Sequence, residues 1–113
     1  MILITRILTA TISSGPTEVP IHIHAPTQGD RCWECNFSIG WPEGDSKGIV
    51  RGFDSVQALY LAMKNIAVRL YASPYHAEGK LCWDKPGAGY GFPMPVTGYE
   101  DLIGEDRIAQ VPD

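Results

Sequence analysis

Apolar side chains recur at helical spacing along residues 54–72, DSVQALYLAMKNIAVRLYA, and that period is sustained nowhere else in the chain. Val56, Leu59, Tyr60, Met63, Ile66, Ala67, Leu70 and Tyr71 form one stripe, because residues three and four apart stand above one another on a helix. Asp54 is a good N-cap, and Gln57, three residues on, can reach back to it. Ala58, Leu61, Ala62 and Val68 carry the apolar surface round the other side and leave Gln57, Lys64, Asn65 and Arg69 as a narrow polar edge. A helix this widely apolar is expected to be covered on two sides. Ser73-Pro74 ends it, since the residue before a proline is driven out of helical geometry.

Before the helix the period changes to two. Residues 2–12 read as a first strand with Leu8, Ala10 and Ile12 on one face and Thr5, Thr9 and Thr11 on the other. Residues 13–17 make a turn. In residues 19–25, Val19, Ile21, Ile23 and Ala25 alternate with His22 and His24, the pattern of a half-buried strand. After a turn at 26–30, residues 31–41 set Trp33, Cys35, Phe37, Ile39 and Trp41 against Cys32, Glu34, Asn36 and Ser38. A hairpin loop at 42–47 leads to a short fourth strand at 48–53, and residues 81–84 make a fifth.

Antiparallel strands with short loops and one polar face predict an α+β domain, a four- to five-stranded meander with one long helix across its apolar face. Residues 87–95, GAGYGFPMP, are too rich in Gly and Pro for regular structure. They read as an extended strap whose Tyr90, Phe92 and Met94 cover the second face of the helix at Leu61 and Val68. The alternative cover for that face is a second copy, a homodimer built helix to helix. Residues 1–97 form the domain and 98–113 an acidic tail, with a short helical turn around 99–103.

Charge sharpens the picture only at the end of the chain. Residues 1–97 hold eight acids and eight bases, whereas 98–113 hold five acids against Arg107 alone. A balanced body with an acidic end argues against nucleic-acid binding, which needs a basic patch. No apolar run is long enough for a membrane span. Three cysteines and no secretory signal predict reduced thiols in a cytoplasmic protein.

The Trp41-Pro42-Glu43-Gly44 loop, the Val56-Gln57-Ala58-Leu59 helix start, the Leu70-Tyr71-Ala72-Ser73-Pro74-Tyr75-His76 exit and the Gly89-Tyr90-Gly91-Phe92-Pro93 strap together resemble a family of small bacterial proteins known only as a domain of unknown function. The resemblance spans residues 19–95. It implies a bacterial single-domain protein with a shared fold, and it brings no activity and no catalytic residue.

Candidate chemistry is sparse. His22 and His24, two apart on a strand, project from the same face and with Glu34 on a neighbouring strand would suit zinc; equally, they are what the solvated face of a half-buried sheet looks like. Cys32 and Cys35 form a lone C-x-x-C, yet on a continuous strand they point to opposite faces, so Cys35 reads as a core residue. The glycines of 87–91 are not followed by a helix, as a phosphate loop requires. Tyr75, His76 and Glu78, with Trp83 and Tyr90, are the one place where a histidine, a carboxylate and aromatics could converge on a ligand; a packed aromatic cluster under the strap would use the same residues. No nucleophile-elbow, zincin or Walker-type segment occurs. The expected function is a non-catalytic, protein-binding module of inhibitor or immunity type. The rival is a small-molecule- or metal-binding protein, enzymatic or not, working through the histidine face or the His76 pocket.

Overall fold

The structure, a computed structural model, describes residues 1–93 and Ile103. The elements are β1 (Ile2–Ile12), β2 (Gly15–His24), β3 (Thr27–Gln28), β4 (Trp33–Trp41), β5 (Gly44–Gly52), α1 (Ser55–Tyr71), α2 (Pro74–Ala77) and β6 (Leu81–Cys82). All strand pairs are antiparallel: β1 with β2, β2 with β4, β4 with β5. The fold is the expected α+β meander under one long helix, with six strands among the described residues. β5 runs along the whole of one side of β4, so β2 and the two-residue β3 share the other. The sheet therefore ends on β5 at one edge and on β1 at the other, where β6 meets only Thr9 and Ala10.

Both long hairpins turn in two residues, tighter than the loops expected at 13–17 and 42–47. Ile12 stands opposite Gly15 and Trp41 opposite Gly44. Pro42 presets its own φ, and Gly44 takes a φ of 144° that side chains rarely adopt. β5 thus begins four residues earlier than expected. Its helix-facing positions are Ser46, Gly48, Val50 and Gly52, the partners of Ile39, Phe37, Cys35 and Trp33. Three of these four carry little or no apolar side chain, which is why alternation did not reveal the start of the strand. The small residues have a use. A Cβ on Gly48 would meet the Phe37 ring at 2.3 Å, so the ring lies across the glycine.

The core is the expected sheet face, with Leu8, Val19, Ile21, Ile23, Cys35, Phe37 and Ile39 all buried. The helix stripe is rotated from the expected one. Ala58, Ala62, Ile66, Ala67 and Leu70 are buried, whereas Leu59 and Met63 are half-buried and Val56 and Tyr60 are exposed. Close approach of backbone to backbone, at Gly52 under Ala58, draws the alanines inward and turns bulkier side chains to the flanks. Arg69 fixes the roll: its guanidinium donates to the Asn65 side chain (3.0 Å), Ser46 Oγ (2.8 Å) and the Lys47 carbonyl (3.1 Å).

Asp54 caps α1 as expected, accepting from the Gln57 N–H at 2.8 Å, while the Gln57 side chain reaches one residue further back to the Phe53 N–H. Ser73-Pro74 ends α1 and at once starts α2. Ser73 Oγ donates to the Leu70 carbonyl and accepts the His76 N–H, so one buried hydroxyl sets the angle between the two helices.

The strap does not cover Leu61 and Val68. Its Tyr90 and Phe92 are buried on the other flank of the helix, where Arg6 of β1 holds the Tyr90 and Gly91 carbonyls at 3.1 Å each. The reason is the sheet's width: α1 lies over β4 and β5 and leaves the β1–β2 half for the strap. Leu61 and Val68 instead line an open groove beside Val50 of β5. Met94, most of the turn expected around 99–103 and the acidic tail lie outside the described residues, apart from Ile103, whose N–H reaches Tyr71 Oη at 3.5 Å.

Candidate functional site

The five residues expected to converge do so only in part. α2 carries His76 onto the end of α1, where His76 Nδ1 shares a 2.5 Å hydrogen bond with Tyr90 Oη of the strap. Tyr71 completes the group, with its ring centroid 4.6 Å from that of His76 and 5.2 Å from that of Tyr90. Tyr75, next to His76 but on the other side of the short helix, stacks on Trp41 and donates its hydroxyl to Glu43 at 2.5 Å. That bond, which only the protonated phenol can make, pushes the Tyr75 pKa up, and the charges of Glu43 and Glu78 add to the effect. Glu78 points away to Lys80. Trp83 lies across the Arg6 guanidinium at 4.0 Å, with Phe92 on the same cation at 4.9 Å. A packed aromatic cluster under the strap describes this region better than a pocket.

A cleft of about 260 Å³ does open beside the strap, between Met63 and Phe92 over Ile4, Ile21 and Ile23, with Arg6 at its rim. It is smaller than the usual site for a small molecule.

His22 and His24 occupy the open face of the sheet as expected. His22 Nδ1 is hydrogen-bonded to Thr5 Oγ1 at 2.9 Å. Glu34 shares the face but lies further along β4, past Asn36, and is held by Arg51 Nε at 3.0 Å. Among the described residues no group of three or more His, Cys, Asp or Glu side chains comes together as a metal site. Cys32 lies in the bend before β4 and not on the strand as expected, while Cys35 falls on the inward face of β4. Cys35 is buried, its thiol meets the His24 carbonyl at 3.4 Å, and burial pushes its pKa up. Cys32, Cys35 and Cys82 are all free thiols.

What sequence reasoning missed lies at the start of α1. Phe53 is 91% exposed and Val56 73% exposed, with Tyr60 a turn further on. Beside Phe53 a shallow groove is lined by Arg31, Cys32, Arg51, Gly52 and Gln57. The available signal was the capping geometry: the residue before an N-cap lies outside the helix, and Val56 sits on the face opposite Ala58 and Ala62. Arg6 was also missed, although a lone cation on the apolar face of a strand marks a specific partner.

The chain belongs to the family DUF6968, a domain of unknown function, whose model matches residues 4–94. No curated protein and no solved structure matches it significantly. Among the described residues no helix is long and apolar enough to cross a membrane.

Proposed function

We propose that this chain is a small bacterial, cytoplasmic, non-catalytic module that binds another protein through the apolar knob of Phe53 and Val56. The observation that carries the reading is that both are exposed at the head of α1. A phenylalanine left in water forgoes about 1.5 to 3 kcal/mol of burial, and aromatic anchors of this kind form the hot spots of interfaces. Arg31 and Arg51 beside the knob give the partner its chemistry: an apolar pocket bordered by carboxylates. The three free thiols fit a reducing compartment. The rival reading, a ligand or metal site at His22, His24 and Glu34 or at His76, has less support, because His22, Glu34 and His76 already bond to neighbouring side chains.

The test begins with a protein that co-purifies with the full chain from its host and is rebuilt from pure components. Phe53→Asp should weaken that complex about tenfold or more while leaving the chain's own melting curve unchanged. Equal affinity for Phe53→Asp, Val56→Asp and the parent would place the docking surface elsewhere.

A further inference from the structure

The two edges of the sheet are built differently. β5, GDSKGIVRG, carries Gly44, Asp45, Lys47, Gly48, Arg51 and Gly52, the charges and glycines that keep an edge strand from pairing with another chain. β1 has no glycine and no outward charge along its first half, and its devices are a bulge between Ile2 and Ile4 and the inward-turned Arg6, which leave Thr5 and Ile7 between and beyond them open. From Ile2 to Leu8 it reads ILITRIL, and Ile2, Leu3, Ile4 and Ile7 are each about half exposed. Its one charge, Arg6, is turned onto Trp83, Phe92 and the strap carbonyls.

The backbone of this half strand is also open. Thr11 donates its N–H outward to the Lys80 carbonyl at 2.9 Å, and alternation along the strand turns the N–H and C=O of Ile7 and Thr5 to the same side. β6 stops at Thr9 and Ala10, and among the described residues no backbone group pairs with Thr5 or Ile7 on that side. A long, apolar edge with unmet donors and acceptors is a template for another strand.

We propose that β1 pairs antiparallel with β1 of a second copy about a two-fold axis near Thr5, joining two sheets into one. The strand suits its own copy. Reversed about Thr5, Thr5 meets Thr5, a favourable cross-strand pair, and Ile7 falls opposite Leu3, apolar against apolar, where the bulge between Ile2 and Ile4 ends the regular pairing. Arg6 falls opposite Ile4, which makes the two cations diagonal neighbours and not a directly opposed pair, each held by its own strap carbonyls. A two-fold contact of this kind is closed and isologous, the commonest arrangement of small oligomers.

The experiment measures the mass of the full chain by light scattering across the micromolar range. The wild type should run as a dimer. Ile7→Lys, which sets a charge on the exposed edge, and Thr5→Pro, which removes an outward donor, should each halve the mass while keeping the helical circular dichroism. Phe53→Asp should remain dimeric, which separates this contact from the docking knob. Native hydrogen exchange on the wild type decides the matter should either variant misfold. The Thr5 and Ile7 amides should exchange slowly at high concentration and fast on dilution. A wild type that is monomeric throughout, a dimer that survives both β1 changes, or fast exchange of those two amides at every concentration would overturn the proposal.

Discussion

Gly52 lies directly under Ala58, so close that a methyl group added to the glycine would stand 2.6 Å from the Ala58 nitrogen. This contact sets the distance between α1 and the sheet, and with it which helix residues are buried. Gly52→Ala should therefore push the head of the helix outward and cost about 1 to 3 kcal/mol, the usual penalty for overpacking. Urea melts check it, and an unchanged midpoint would mean that the helix start yields freely.

Phe37 and Gly48 face each other across β4 and β5, with the ring in the space a Gly48 side chain would need. Phe37→Ala should cost about 3 to 5 kcal/mol. Gly48→Ala should be destabilising in the parent and much less so in the Phe37→Ala background, with a coupling energy of about 0.5 to 3 kcal/mol. Additive effects would show that the two residues do not share this space.

Tyr90→Phe removes the hydroxyl that bonds His76 under the strap. The expected loss is about 0.5 to 1.5 kcal/mol, the net worth of a typical hydrogen bond at a half-buried site. Arg6→Ala should free the strap instead, seen as faster proteolysis across residues 86–92 and altered Trp83 fluorescence, because the guanidinium both stacks on that indole and holds two strap carbonyls.

Burial raises the Cys35 pKa, so the folded state holds the thiol proton more tightly than the unfolded chain does. Its contribution to stability is whole below the ordinary thiol pKa and is lost as pH rises above it and through the folded value. In the native protein Cys32 should react with an alkylating reagent well before Cys35 does. Mass spectrometry of the partly labelled protein checks this, and equal labelling of the two would contradict the burial of Cys35.

With Thr5 bonded to His22 and Arg51 bonded to Glu34, zinc should leave the melting temperature of the purified chain unchanged. A rise in Tm that His22→Ala and His24→Ala abolish would restore the zinc reading of that face, since a ligand bound only to the folded state must stabilise it.

Periodicity and capping by themselves determined the α+β class, the meander of β1, β2, β4 and β5, the helix from its Asp54 cap to Ser73-Pro74, and the inward face of β4. These are local signals, written in residues two, three or four apart. Ser73-Pro74 also carried the start of α2, as a serine cap followed by proline at the first helical position, and could have been read so. Only the tertiary structure decided the roll of α1, because that depends on glycines of β5 that have no hydrophobic signal of their own. It likewise decided that the strap lies over β1 and not over Leu61, since α1 is too narrow to shade the whole sheet, and that Tyr75, His76 and Glu78, neighbours in sequence, part to Trp41, Tyr90 and Lys80. Whether side chains converge depends on the directions in which a short helix points them, and sequence spacing across a turn does not contain that information.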